Sequence, residues 1–158
     1  MKLCGIDSST SNTSIALFEN GEYKDYTLIS MDKKQYPTKW DRLNPMLVEI
    51  SKVLENYKPD VIYQEDSYKG NNIDNLKVLT NILGGVRFWA LTHNAEYYKL
   101  LPSQWRKVLK LNEYEADRTI LKQKTIEYIQ GKYHIDIPTD DVSDSIAIGA
   151  AGIIFYGE

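Results

Sequence analysis

The sequence has a single cysteine and only two histidines, and both scarcities narrow the chemistry open to the protein. With Cys4 alone, no disulfide can form within the chain, and nothing indicates an oxidising compartment. We interpret Cys4 as a small buried residue of the first strand rather than a reactive thiol. His93 and His134 lack the spacing of metal ligands, so we expect a surface or capping role for both. A zinc site is therefore not predicted.

Long apolar runs are also missing. No run approaches the roughly 20 residues of a membrane-spanning helix, and the segment 1–7 lacks the apolar stretch of a signal peptide. We therefore expect a cytoplasmic protein with no membrane partner. The 158 residues, 42% of them hydrophobic, suffice for one core, so a single domain over residues 1–158 is predicted rather than a two-domain enzyme.

The chain has no excess of positive charge. Its formal net charge is −3, whereas a protein that contacts nucleic-acid phosphates normally presents a basic surface. The distribution of charge matters more than the sum. If four acids are set aside as metal ligands, the rest of the chain is close to neutral, so the acidity weakens a nucleic-acid function without excluding it.

The periodicity of apolar residues and the turn formers predict an α/β protein. The pair Asn20-Gly21 tolerates positive φ and predicts a hairpin. Apolar residues from Trp40 to Tyr57 recur at helical spacing, with Asn44 a candidate cap and Pro45 in the first turn, which leaves Trp40 and Leu43 in a preceding segment. Strands are predicted at 2–7, 14–18, 22–29, 60–65 and 96–101, and helices up to 57, at 73–92, after Pro102, at 114–130 and at 139–155. This order suits a mixed five-stranded sheet with helices on both faces.

Two acids end predicted core strands. Asp7 follows Leu3-Cys4-Gly5-Ile6, and Glu65 follows Val61-Ile62-Tyr63-Gln64. An ionised carboxylate after a core strand is costly unless something compensates it, and a metal ion does so directly. For either residue alone, an exposed strand end is the simpler interpretation.

Three further acids open the last predicted helix, which Thr139 caps. Asp141 and Asp144 are three positions apart and share a face, whereas Asp140 points elsewhere. Acids in a first turn also stabilise the helix dipole, by roughly 0.3–1 kcal/mol each. The uncharged stretch from Ile146 to Ile154, however, predicts a helix that is buried nearly all round and packs close to a sheet. Exposure to solvent alone does not explain why such a helix has two acids on one face.

Together Asp7, Glu65, Asp141 and Asp144 suggest one metal site. Hard oxygen ligands select Mg²⁺, or Mn²⁺, over zinc. Two such ions roughly 3.5–4 Å apart can clamp the attacking water and the leaving oxygen of a phosphodiester, with no side-chain nucleophile.

Three motifs in order resemble a known family. The stretch from Gly5 to Ser14, the pair Gln64-Glu65, and the stretch from Asp141 to Ala147 are similar to the opening strand, the second acidic position and the Asp-x-x-Asp helix of RuvC-type Holliday-junction resolvases. The resemblance spans nearly the whole chain, and the three motifs in this order are more specific to the family than any one of them alone. It implies an RNase H-like fold, a homodimer, two Mg²⁺ per site with the same four acids as catalytic ligands, and paired nicking of four-way or other branched DNA junctions.

The resemblance also implies DNA contacts. Tyr68 stands where the family has an aromatic that helps to open the junction, and it is equally well interpreted as an ordinary loop aromatic. Basic residues of the family match Arg106, Lys107 and Arg118 best, and Lys69 is a further candidate. A solvated face of mixed charge is the alternative for any one of them. Lys110-Leu111-Asn112 departs from the glycine-containing pattern of the cellular enzymes and is similar to divergent phage forms, which puts strict junction selectivity in doubt.

The family's dimer contact lies on the helix 73–92, where Gly84-Gly85 interrupts a stripe of apolar residues. Adjacent glycines cost helix stability, roughly 1 kcal/mol each relative to alanine, and usually indicate the close approach of another backbone. Packing within one molecule explains the glycines equally well.

Two other classes of protein remain as alternatives. Actin-like ATP-dependent phosphotransferases open with a similar Gly-Ile-Asp strand and a Ser/Thr-rich turn, but they need two large lobes. A non-catalytic nucleic-acid-binding module of the same fold would not need all four acids, although their presence does not prove activity. Among nucleases, an RNA-processing relative of RuvC is also compatible with these motifs.

Overall fold

The computed structural model describes residues 1–67, 70, 72–112 and 117–157. Within these residues the strands are β1 (Lys2–Ser8), β2 (Asn12–Glu19), β3 (Glu22–Ser30), β4 (Val61–Glu65) and β5 (Glu96–Leu100). The helices are α1 (Lys39–Tyr57), α2 (Ile73–Thr92), α3 (Pro102–Val108), α4 (Arg118–Tyr133) and α5 (Asp140–Gly157). The predicted order of elements is confirmed.

The five strands form one mixed sheet in the order β3-β2-β1-β4-β5. The first three strands pair antiparallel, whereas β4 and β5 extend the sheet parallel to β1. One apolar core joins the sheet to α3, α4 and α5, and a second joins its other face to α1 and α2. The predicted α/β architecture with helices on both faces is therefore confirmed.

The hairpin between β2 and β3 turns at Asn20 and Gly21, as predicted. Both residues have positive φ, 53° and 83°, which is the conformation that a tight turn with a right-handed strand twist requires.

Helix α5 lies against the centre of the sheet. Every residue from Val142 to Gly152 is buried. The burial predicted for the uncharged stretch from Ile146 to Ile154 is therefore confirmed as far as Gly152, whereas Ile154 is 38% exposed. A Cβ on Gly5 of β1 would lie 2.3 Å from the carbonyl oxygen of Ser145 and 2.4 Å from the backbone nitrogen of Gly149. The lack of a side chain at Gly5 therefore lets strand and helix backbones touch.

The predicted start of α1 is wrong. The helix begins at Lys39, with Thr38 as its cap: the Thr38 side chain accepts from the backbone N–H of Asp41, and the Asp41 side chain accepts from that of Thr38. Pro45 therefore lies inside the helix, and Asn44 is not its cap. The reciprocal cap sets the start one turn earlier, so Leu43 joins the buried face while Trp40 remains 45% exposed.

The other boundaries differ from the prediction by a few residues. Helix α2 is the exception, because its bounds are those predicted. The Asn72 side chain caps this helix by accepting hydrogen bonds from the backbone N–H groups of Asp74 and Asn75. Helix α4 begins at Arg118 after the Asp117 cap, and its predicted start near Tyr114 lies outside the described residues. His93 and His134 occupy the C-caps of α2 and α4, which confirms the capping role expected of them. None of the described helices is long and apolar enough to cross a membrane.

Candidate active site

The acids at the ends of β1 and β4 are neighbours. These strands run parallel, and the register pairs Ile6 with Gln64, so Asp7 and Glu65 follow at the same edge of the sheet. Asp7 is buried, with 8% of its surface exposed, and Glu65 is half-buried. The two carboxylates that the sequence singled out are thus side by side in the fold.

The first turn of α5 brings the other two acids to the same edge. Asp7, Glu65, Asp141 and Asp144 all line one cavity of about 920 Å³. Asp144 is 7% exposed, and its Oδ1 has no hydrogen-bond partner among the described residues. The predicted constellation is therefore assembled from two strands and a helix that are distant in the sequence.

Burial and mutual repulsion disfavour the charged forms of these acids. Burial, and then the charge of Glu65, raise the pKa of Asp144 to about 7. Burial also raises the pKa of Asp7 well above its usual value, with Glu65, Asp144 and Asp141 adding to the effect. Carboxylates that repel one another in a partly dry cavity favour a cation between them.

Glu65 has donors that counteract this repulsion. Burial raises its pKa, whereas a hydrogen bond from Trp105 and the positive charges of Arg106 and Arg118 lower it. The indole Nε1 of Trp105 donates to Oε2 of Glu65 at 2.8 Å. The guanidinium of Arg106 lies 4.6 Å from the centre of the Trp105 ring.

The remaining acids of the first turn of α5 have different partners. The Asn12 side chain donates to Oδ2 of Asp141 at 3.4 Å, and burial raises the pKa of Asp141. Asp140 instead pairs with the Lys122 ammonium, which holds its pKa below the usual value. Asp140 also lines the cavity, but its charge is neutralised from outside the acid cluster. Asp140 thus lines the same cavity as Asp141 and Asp144 and differs from them in its ion pair with Lys122.

Among the described residues, three basic side chains line the cavity with the acids: Arg106, Arg118 and Lys122. Lys107 is exposed on α3 and does not line the cavity. Tyr68 and Lys69, the other predicted DNA contacts, lie outside the described residues. The structure thus groups two of the predicted basic residues with the acids and places the third on an adjoining surface.

The four acids fit a divalent ion in their chemistry. They supply hard oxygen donors, and the unpartnered Oδ1 of Asp144 is a buried acceptor with no protein donor to satisfy it. No three His, Cys, Asp or Glu side chains of the described residues are grouped closely enough to hold an ion on their own. The cluster of acids therefore offers oxygen donors to an ion but does not enclose one. Its members are Asp7, Glu65, Asp141 and Asp144.

Sequence reasoning missed two neighbours of the acids. Trp105 is fully buried and reads as one more apolar residue of a helix, and Asn12 reads as part of a polar turn. Both contact their acids across the tertiary fold, so no local pattern could have identified them.

Comparison with known proteins finds a relative that spans nearly the whole chain. No protein-family model matches it. It is 26% identical over 152 residues to the crossover junction endodeoxyribonuclease RuvC of Dictyoglomus turgidum, covering 94% of this chain and 93% of that protein.

Solved structures show the same fold. RuvC of T. thermophilus, in complex with a Holliday-junction substrate, superposes with a TM-score of 0.77 at 14% identity, over 99% of this chain and 96% of that one. The fowlpox virus resolvase, in complex with Holliday-junction DNA, superposes with a TM-score of 0.64 at 16% identity over the whole of both chains. The resemblance to the RuvC-type resolvases of the RNase H-like superfamily, which three sequence motifs indicated, is thus confirmed by a relative that spans nearly the whole chain and by the fold.

Proposed function

We propose that this chain is a metal-dependent endodeoxyribonuclease that resolves four-way or other branched DNA junctions by paired phosphodiester hydrolysis. The observation that carries the proposal is the meeting of Asp7, Glu65, Asp141 and Asp144 in one cavity, although they come from both ends and the middle of the chain. The relative that spans nearly the whole chain is named a crossover junction endodeoxyribonuclease. Both structural neighbours were solved with junction DNA, which supports this choice of substrate.

In this proposal the four acids hold two Mg²⁺ ions, for which Mn²⁺ can substitute. When bound there, such ions would supply an activated water and offset the negative charge that develops during phosphodiester hydrolysis. The chain's own residues bind and orient. Asn12 restrains Asp141 by its hydrogen bond, while Arg106 and Arg118, which line the cavity with the acids, bind backbone phosphates of the DNA. Tyr68 and Lys69 are expected to contact the opened junction, and Lys107 the DNA beyond the cavity.

Paired nicking requires two sites, and we propose that a homodimer supplies them. Phe88 and Leu91 of α2 are 67% and 74% exposed, and Gly84 lies one turn before Phe88 with open space above it among the described residues. Gly85 instead faces α1, where a Cβ would lie 2.5 Å from Leu47 Cδ2. The two adjacent glycines thus have different surroundings: Gly85 permits packing within the molecule, and Gly84 leaves room beside the exposed Phe88 for the approach of a second copy.

The nuclease activity is tested with a labelled synthetic four-way junction beside a linear duplex and a single strand, each with Mg²⁺, Mn²⁺ or chelator. We expect symmetric, metal-dependent nicks confined to the junction. If every branched form is cut, the proposed mechanism stands, and the proposed substrate class widens from four-way junctions to branched DNA in general. If the protein cuts structured RNA in preference to branched DNA, the proposed function would change from a junction resolvase to an RNA-processing nuclease.

The dimer is tested by sedimentation of the wild type and of Phe88→Lys. The wild type should sediment as a dimer and the variant as a folded monomer that cuts one strand at a time. Gln130→Lys, at an exposed position of α4, is the matched control for the added charge. A monomeric wild type that nicks in symmetric pairs would contradict this interface.

A second candidate function is a non-catalytic junction-binding module in the cytoplasm of a bacterial or phage-infected cell. The observation that favours it is that no three His, Cys, Asp or Glu side chains of the described residues are grouped closely enough to hold an ion, although four acids line the same cavity. Tight junction binding without cleavage in either metal would establish it.

A further inference from the structure

Two tryptophans of this chain donate their indole N–H to a glutamate. Trp105 donates to Glu65 Oε2 at 2.8 Å, and Trp89 donates to Glu55 Oε1 at 3.0 Å. Only the first pair includes an acid that lines the cavity. The chain therefore holds a pair beside the candidate active site and a chemically matched pair outside it.

The fold places Trp105 directly beside the end of β4. The register of the parallel strands β4 and β5 pairs Glu65 with Leu100, and α3 begins two residues after Leu100. Trp105, in the first turns of α3, is fully buried in the core that joins this helix to the sheet. Its indole is therefore held by packing, and its single donor is aimed at the carboxylate.

A tryptophan is suited to hold a metal-binding carboxylate. Its N–H donates one hydrogen bond, accepts none, and adds no cation that would compete with a metal ion. Trp105 contacts one oxygen of Glu65, and the other, Oε1, accepts no hydrogen bond from the described residues. The contact therefore fixes the orientation of the carboxylate while leaving an oxygen for another partner.

The same indole supports a basic residue of the cavity. Arg106 lies over the ring, with its guanidinium carbon 4.6 Å from the centroid, and it lines the cavity. Cation–π contacts of this kind restrain a guanidinium that would otherwise sample many conformations. Trp105 thus contacts both a negative and a positive side chain of the candidate site.

We propose that Trp105 is a positioning residue that orients the Glu65 carboxylate for metal binding through its indole N–H. The proposal rests on the proposed function, because it takes Glu65 as a metal ligand. Loss of partners that orient metal ligands commonly weakens metal binding by roughly 10–100-fold. Trp105 does not touch the substrate in this role, so its effect passes through Glu65.

The first test uses NMR of the indole N–H groups in the ¹⁵N-labelled full chain, which has three tryptophans. Tryptophan-to-phenylalanine variants assign the three signals. We expect Glu65→Gln to shift the Trp105 signal alone, and Glu55→Gln to shift the Trp89 signal alone. Addition of Mg²⁺ without DNA should move the Trp105 signal and leave the Trp89 signal in place.

The second test compares Trp105→Phe with Trp89→Phe, which removes the matched hydrogen bond outside the cavity. Binding of Mn²⁺ in the absence of DNA, followed by electron paramagnetic resonance of the free ion, should weaken about 10-fold or more in Trp105→Phe only. In junction cleavage, the metal concentration for half-maximal rate should rise by a similar factor. The affinity for the junction should change little.

Phenylalanine leaves a gap in the core, so a second substitution removes the N–H alone. Replacing Trp105 with 3-benzothienylalanine keeps the ring shape and exchanges the N–H for sulfur. Weakened Mn²⁺ binding in this variant supports the proposal even if Trp105→Phe fails to fold. Unchanged Mn²⁺ binding in the folded benzothienyl variant, or a Trp105 signal that does not respond to Mg²⁺ while Mg²⁺ binds elsewhere, overturns it. A chain that binds Mn²⁺ through the Trp105-dependent site but cuts no junction would refute the proposed function and leave this inference standing.

Discussion

The hydroxyl oxygens of Ser14 and Ser145 lie 2.7 Å apart in a buried hydrogen bond between β2 and α5. Ser14 pairs with Asp7 in the antiparallel register, and Ser145 follows Asp144 directly. The Ser145 hydroxyl donates to the carbonyl of Val142, so Ser14 is the donor in the bond between the two serines. This bond therefore fixes the acids of the helix relative to the acid of the strand.

Asp7→Asn should abolish cleavage and leave junction binding largely intact, because it removes a ligand charge and not the DNA-binding surface. We expect a loss of about 10³-fold or more in the rate of junction cleavage, as for other essential catalytic groups. Cleavage assays and gel-shift titrations measure the two effects. Asp136→Asn, at an exposed position, is the control. A folded Asp7→Asn variant with full activity would remove Asp7 from the site.

Asp144→Asn should make the metal-free protein more stable, and this gain should depend on pH. Because the pKa of Asp144 is about 7 in the folded state and near 3.8 when unperturbed, the folded chain binds more protons than the unfolded chain between these values. The wild type thus loses stability as the pH rises from about 4 to about 7, and the loss is complete above that range. The advantage of the variant should grow over the same window to a few kcal/mol.

Urea unfolding in chelator at a series of pH values from 5 to 8.5 measures this difference, with Asp136→Asn as control. Saturating Mg²⁺ should reverse the order, since the ion stabilises only the chain that binds it. An advantage that is constant across the pH range would show that Asp144 is not the titrating group.

Arg106→Ala and Arg118→Ala should each weaken junction binding and reduce its dependence on salt. Each phosphate contact that is lost lowers the slope of log affinity against log salt by about 1. Fluorescence anisotropy with a labelled junction at several salt concentrations gives the slope. Lys52→Ala, which removes an exposed charge paired with Glu49, should leave it unchanged. The same measurement on Lys107→Ala reveals whether DNA extends along α3, and an unchanged slope in both arginine variants would exclude them as phosphate contacts.

Gly5→Ala should destabilise the fold, because its methyl group would collide with backbone atoms of Ser145 and Gly149 that cannot move independently. Overpacking of this kind costs roughly 1–3 kcal/mol. Gly131→Ala in α4, where the described residues leave the position open, should instead stabilise by about 0.5–1 kcal/mol. Chemical unfolding compares the two. A neutral Gly5→Ala would mean that α5 can move away from the sheet.

Local patterns were sufficient to predict most of the fold. Asn20-Gly21 encodes its own turn, and the caps of α2 and α5 lie within a few residues of the N–H groups that they satisfy. The start of α1 was missed because Pro45 suggested a first turn, whereas the reciprocal cap at Thr38 and Asp41 outweighs a proline inside the helix.

The acids could be predicted because each interrupts an apolar pattern, and the order of three motifs matched a family. Their neighbours could not. The contact of Trp105 with Glu65 spans 40 residues of sequence and that of Asn12 with Asp141 spans 129, so only the assembled sheet brings these groups together. The different surroundings of Gly84 and Gly85 likewise depend on how α2 is rotated against α1, which the sequence pattern left open.

The close contact between β1 and α5 at Gly5 also affects how the protein folds during its synthesis. During synthesis the strand that carries Asp7 leaves the ribosome long before the helix that carries Asp141 and Asp144. A nascent chain therefore presents a half-assembled cluster of acids until α5 reaches Gly5. The cluster of acids is completed only when this contact between distant parts of the sequence has formed, and non-local contacts of this kind form slowly. A partly folded chain therefore lacks the complete set of carboxylates.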